Sequence, residues 1–249
     1  MRIPRVHLTQ SLHIGDAVDL PSAACEHLLR VLRLSENAPL LLCNDDGIDY
    51  RATLVDVGKR GARARILDAS PNLAESPLRI VLAQALARGE KMDWVIQKAT
   101  ELGVAAIQPI VTERTEVRLD AERAGRRLAH WQAVAVAACE QSGRARVPTI
   151  SEQVPLATYA AGVDTGAIRL ALDPDGGSLT DALNGSILQD ATAPIHLVIG
   201  PEGGLSERDL AQLRVAGFRG LRLGPRILRT ETAGLAALAA LQALAGDFR

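Results

Sequence analysis

Aromatic residues are scarce: two Trp, two Tyr and two Phe make up 2% of 249 residues. So few rings leave the interior to Ala, Leu, Val and Ile, and they exclude an RNA surface that stacks many bases on aromatic side chains. An excess of charge is missing too. Basic residues number 28 and acidic residues 29, a formal net charge of −1, so no global positive field advertises a polyanionic partner. Lysine is nearly absent, with three among the 28 basic residues; the arginine in its place is the better bidentate ligand for phosphate. Cys25, Cys43 and Cys139 are odd in number and lack metal-ligand spacing, which argues against a disulfide framework and against a zinc site. No long apolar run opens the chain, so a signal peptide is not expected. The most apolar stretch, residues 232–248, is too short and Ala-rich to read as a membrane span. These absences point to a reduced, cytoplasmic protein without a membrane partner. The remainder, 47% hydrophobic and 23% charged, is ordinary globular composition, enough for one large domain or two modest ones.

Residues 1–72 read as short strands with one helix. Ser22 is placed to cap a helix through Ala23 to Arg33. Strands are expected over 40–43, 50–57 and 62–67, with turns at Asn44-Asp45-Asp46-Gly47 and over 58–61. Small strands with little helix suggest a compact β-barrel. The polar, Pro-flanked stretch Ser70 to Pro77 is the linker candidate, which gives domains 1–72 and 73–249. Beyond it, apolar strands (78–86, 105–111, 167–172, 195–200, 218–224) alternate with helices near 90–102, 121–141 and 206–215 and a closing helix from about Leu228. That alternation implies an α/β domain around a parallel sheet. Ser206 as N-cap with Asp209 three residues on forms a variant capping box. In the closing helix Leu235, Leu238, Leu241 and Leu244 recur every three residues with Ala between them, so it is apolar nearly all round. Either it runs through the middle of the monomer, or one side meets a second subunit.

Two glycine-bearing loops stand out. Gly200-Pro201-Glu202-Gly203-Gly204 follows an apolar strand and precedes a capped helix, where glycine lets backbone approach a ligand and where open α/β sheets bind ligands. The dinucleotide fingerprint GxGxxG and the P-loop Gly-Lys-Ser/Thr are both absent, which disfavours a dinucleotide-dependent oxidoreductase. Leu223-Gly224-Pro225-Arg226-Ile227-Leu228-Arg229-Thr230-Glu231 pairs a Gly-Pro bend with Arg, Thr and Glu at a helix start. If the two loops stand at adjacent strand ends, they can enclose a small cofactor with backbone groups and apolar walls. Weaker signals are Lys98-Ala99-Thr100-Glu101-Leu102-Gly103, Glu140-Gln141-Ser142-Gly143-Arg144 opening a basic loop, and His27-Leu28-Leu29-Arg30-Val31-Leu32-Arg33, whose basic residues form one row if the segment is α-helical.

In this order, HLLRVLR, KMDWVIQKATELGV, VTERTEV, ACEQSGRARVP, LVIGPEGGLSERD and LGPRILRTETA resemble the ribosomal RNA small subunit methyltransferase E family. Its members are 16S ribosomal RNA uridine-N3 methyltransferases of the SPOUT superfamily. The resemblance covers almost the whole chain. It implies an N-terminal PUA-like RNA-binding barrel and a C-terminal α/β domain with a deep trefoil knot that binds S-adenosylmethionine. It also implies a homodimer acting on the small ribosomal subunit. Carried over by position, the cofactor wall is Leu172, Ile199, Gly200, Gly204, Leu223 and Leu228. Arg229 is expected to face the uracilate, with Glu231 or Glu202 orienting it or taking the N3 proton; alternatively these carboxylates only satisfy loop donors. RNA phosphates are expected on His27, Arg30, Arg33, Lys98, Arg114 and Arg144. The rival readings are a SPOUT enzyme acting on a ribose 2′-hydroxyl and a non-catalytic RNA-binding assembly factor.

Overall fold

A computed structural model describes residues 3–58, 61–117, 120–183 and 193–248. By its contacts the chain divides into two units, Met1–Glu75 with Cys139–Val147, and Ser76–Ala138 with Pro148–Arg249. The stretch 139–147, which sequence order places with the second segment, is tied to the first by Glu75. That carboxylate accepts from the Ala145 and Arg146 amides, both at 2.9 Å.

The first unit is built on a five-stranded sheet of β1 (Arg5–His7), β2 (Ala17–Asp19), β3 (Pro39–Cys43), β4 (Ile48–Gly58) and β5 (Gly61–Pro71), in the order β1-β3-β4-β5-β2. All pairings are antiparallel except β1 beside β3. Tyr50, Ala52 and Leu54 on β4 and Ala62, Ala64 and Ile66 on β5 alternate inward onto a core with Leu28, Leu40 and Leu42, the period-two pattern of a half-buried sheet. The expected turn before β4 forms, with Asp45 and Gly47 at φ 70 and 88° and the Asp46 carboxylate accepting from the Ile48 amide at 2.7 Å. Of the turn expected over 58–61, residues 59 and 60 lie outside the described residues.

The first helix departs from expectation. Only α1 (Ser22–Cys25) is α-helical, and Glu26–Val31 continues as a π-helical turn. Ser22 is the first helical residue and Pro21 the cap position, with no side-chain cap bond. The wider i→i+5 ladder, seen in the Leu32 amide bonding the His27 carbonyl at 2.9 Å, breaks the three-residue stacking. Arg33 has already left the helix with φ 54°. His27, Arg30 and Arg33 are exposed but do not form one α-helical row.

The second unit carries a seven-stranded sheet of β6 (Ile80–Ala85), β7 (Ala106–Val111), β8 (Thr149–Ile150), β9 (Val154–Pro155), β10 (Ile168–Gly177), β11 (Ile195–Ile199) and β12 (Arg219–Leu221). The order is β12-β10-β11-β6-β7-β8, with β9 also on β7, and every pairing is parallel. Its helices are α2 (Lys91–Glu101), α3 (Ala121–Ser142), α4 (Leu156–Gly162), α5 (Leu179–Leu183), α6 (Glu207–Val215) and α7 (Thr230–Ala245). The last turn of α3 falls in the first unit. Connections through helices are what parallel strands require. The capping box of α6 is present, Ser206 accepting from the Asp209 amide and Asp209 from the Ser206 amide. β10 runs past its expected end at Leu172 to Gly177, with a register shift against β12.

Helix α7 packs on α2, β6 and β11, burying Ala233, Gly234, Ala237, Leu238, Leu241 and Gln242. It is central within its unit, while Leu244 stays 45% exposed. No helix among the described residues is long and apolar enough to cross a membrane.

Candidate active site

Strand β11 delivers the first loop to the carboxyl edge of the sheet. A Cβ on Gly200 would stand 2.8 Å from the Leu205 amide nitrogen, so this loop can fold back on itself only through glycine. Gly204 closes the turn at φ +71°, its amide bonding the Pro201 carbonyl at 2.9 Å; that left-handed conformation favours glycine. The turn is clamped from the segment after β7, where Arg114 donates to the Gly203 carbonyl at 2.9 Å and Glu113 accepts from the Ser206 hydroxyl at 2.5 Å.

The second loop follows β12 and ends where Thr230 starts α7, with Arg229 at the cap position. The expected start near Leu228 therefore moves by about one half-turn. Thr230 fixes that start. Its hydroxyl donates to the Gly200 carbonyl at 2.6 Å and accepts from Gln84 at 2.9 Å. The buried Gln84 belongs to β6, so one relay ties a third strand end to both loops.

The two loops do not stand on adjacent strands, contrary to expectation, because β10 lies between β11 and β12. Leu172 and Asp173 of β10 therefore contribute wall between them, and all three strand ends open onto one cavity of about 680 Å³. That size suits a cofactor-sized ligand, whose sites run to roughly 300–1,000 Å³. Leu172, Ile199, Gly200, Gly204, Leu223, Leu228, Arg229 and Glu231, the expected cofactor and catalytic set, all line it, together with Glu202 and Arg114. Ile227 stands 88% exposed at the same wall, an apolar side chain available to cover a ligand.

The charged side of the cavity has a member that pattern reading missed. Lys91, at the start of α2, donates to Glu202 at 2.9 Å and stands 3.6 Å from Glu231. Glu202 also accepts from the Arg88 amide at 3.0 Å. Burial tends to raise the Glu202 carboxyl, but the hydrogen bonds from Lys91 and the Arg88 amide, with the Lys91 charge, outweigh it and hold the group below its ordinary value. The hydrogen bond to Glu202 in turn holds Lys91 above its own. The Oε2 of Glu231 is buried, with the Lys91 ammonium at 3.6 Å and no hydrogen bond among the described residues. A signal for Lys91 did exist: it follows closely on a strand end at the ligand-binding edge, the place such sheets use.

Sequence comparison decides the family. Residues 74–242 match the RNA methyltransferase domain model and residues 23–67 the RNA methyltransferase PUA domain model. The ribosomal RNA small subunit methyltransferase E of Buchnera aphidicola is 30% identical over 99% of this chain and 98% of its own. The chain belongs to the ribosomal RNA small subunit methyltransferase E family. Solved structures resemble it along the chain. The methyltransferase E of Neisseria gonorrhoeae, bound to S-adenosylmethionine, aligns with TM-score 0.91 and 39% identity over 100% of both chains. A Legionella pneumophila methyltransferase with the same bound cofactor aligns with TM-score 0.91 and 35% identity, over 99% of this chain and 100% of that one.

In this family member the expected RNA set scatters. Arg114 stands at the cavity. Lys98 lies on α2, paired with Glu101 at 2.8 Å and 5.1 Å from the Trp94 ring centroid, outside the cavity wall. His27, Arg30 and Arg33 belong to the first unit, with Arg30 paired to Glu26 at 3.2 Å. Arg144 is a correction. It is 4% exposed and its guanidinium is held by Glu75 at 3.0 Å, so it is committed to the interior and does not reach a phosphate.

Proposed function

We propose that this chain transfers a methyl group from S-adenosylmethionine to N3 of a uridine in 16S ribosomal RNA of the small subunit. The observation that carries the reading is the cavity shared by the two glycine-bearing loops, lined both by apolar Leu172, Ile199, Leu223 and Leu228 and by the Glu202, Lys91 and Glu231 cluster. Backbone groups of 200–204 and 223–228 hold the cofactor, and Leu172, Ile199, Leu223 and Leu228 cover its apolar parts. When bound there, S-adenosylmethionine supplies a sulfonium-activated methyl whose carbon passes to N3 while the carbon–sulfur bonding pair stays on sulfur.

The chain's own residues provide the rest. Uracil N3 is an imide nitrogen that becomes nucleophilic only as its proton leaves. Glu231 takes that proton, since it stands 3.6 Å from Lys91, beyond a hydrogen bond, whereas Glu202 is engaged by Lys91 and the Arg88 amide. Arg229, exposed at the cap of α7, faces the negative charge that spreads onto the uracil carbonyl oxygens, and a fixed cation there lowers the barrier. Holding donor and acceptor in line contributes further.

The catalytic unit is read as a SPOUT domain with a deep trefoil knot over 73–249, preceded by a PUA-like RNA-binding barrel over 1–72. The protein is cytoplasmic and acts as a homodimer joined partly through the exposed end of α7. His27, Arg30, Arg33, Lys98 and Arg114 contact RNA phosphates, so binding weakens with salt. The test is methyl transfer to unmodified small subunits followed by nucleoside digestion and mass analysis. A methyl on uracil N3 is expected. A methyl on ribose assigns a different acceptor, and no transfer together with no cofactor binding makes the chain an assembly factor; either overturns the reading.

A further inference from the structure

We infer that Lys91 is a positioning residue for methyl transfer, holding Glu202 and Glu231 side by side at the cavity wall. The inference rests on the uridine-N3 reading above. Three chain segments distant in sequence meet here: the turn after β6, the loop after β11 and the first turn of α7. Among the described residues only Lys91 pairs with both carboxylates, at 2.9 Å and 3.6 Å.

Two carboxylates facing one cavity repel, and each disfavours ionisation of the other. A protonated Glu231 could not accept the N3 proton. An ammonium from α2 within reach of both offsets that penalty. The other charged groups on the wall are Arg114, Asp173, Arg222, Arg226 and Arg229. Arg114 is engaged with the Gly203 carbonyl at 2.9 Å, and Asp173 with Arg214 at 3.4 Å. Arg88, whose amide helps hold Glu202, turns its side chain to Glu116.

The test follows kcat/KM against pH for transfer to small subunits by the unaltered chain and by Lys91→Met, Lys91→Arg and Glu202→Gln, with cofactor affinity from calorimetry and folding from thermal melts. For Lys91→Met the acid limb should move up by about one pH unit, since the lost charge had favoured ionisation, while cofactor affinity changes little. Lys91→Arg should restore the limb. Glu202→Gln should move it the other way, because Lys91 then serves Glu231 alone. If Lys91→Met proves unfolded, the direction of the Glu202→Gln shift decides. Coincident acid limbs, with the uridine N3 still methylated, overturn the role of Lys91 alone. A chain that methylates a sugar hydroxyl overturns the underlying reading and this role with it.

Discussion

Two arginine-bearing loops of this molecule have opposite fates. The loop 143–147 closes α3, and its Arg144 is buried against Glu75, which also collects the Ala145 and Arg146 amides. The loop 224–229 leads into α7 and leaves Arg226 and Arg229 exposed along a cavity. Carboxylates stand near both. Beside the second loop, however, Glu202 is paired with Lys91 at 2.9 Å, and Glu231 stands 3.6 Å from the same ammonium. An arginine is available to a ligand where another cation has already claimed the neighbouring acids. Where it is itself the partner of a buried acid, it serves the fold.

Five variants break or sharpen that contrast. Arg144→Met should be the most damaging to folding. Removing one partner strands the Glu75 charge, and the loss in urea unfolding should be about 3 kcal/mol or more, whereas Arg229→Ala should stay within about 0.5 kcal/mol of the parent while lowering methyl transfer. Equal stabilities for the two variants would erase the distinction. Gly200→Val comes next. Its side chain has no room against Leu205, and overpacking of this kind costs about 1–3 kcal/mol; the reading is up to roughly a hundredfold weaker S-adenosylmethionine binding by calorimetry.

Thr230→Val keeps the shape but removes the hydroxyl that links Gln84 to the Gly200 carbonyl. Cofactor affinity should fall about tenfold, in line with roughly 1–2 kcal/mol for a buried bond left unmade, and an unchanged affinity would show that the loops keep their places without the relay. The smallest effect belongs to the first unit. Replacing Arg30 and Arg33 with Ala should lower RNA affinity modestly and reduce the slope of log affinity against log salt by about one for each phosphate these arginines neutralise. An unchanged slope would remove them from the RNA surface.

Much of the site is legible in the chain order itself. The strand–glycine loop–capped helix series around 195–215 forms as its local pattern requires, since turn chemistry and capping act over a few residues. The loop 223–231 likewise lies on the cavity its composition suggests. The π-helical turn at Glu26–Val31 is not legible, because HLLRVLR fits an α-helical period equally well; in the fold the wider turn buries Leu28. Nor is the burial of Arg144, since Glu75 lies 69 residues away.

What the amino-acid order determined alone is therefore local: which segments become strands and helices, where glycine must stand, and which family the motifs mark. Tertiary structure decided the strand order that sets β10 between the two loops. It also decided the partner of each charge, placing Lys91 beside two acids and burying Arg144 against Glu75. The physical reason is range. Dihedral preference and capping are settled among neighbours in the chain, whereas electrostatic partnership and burial depend on residues that only the folded sheet brings together.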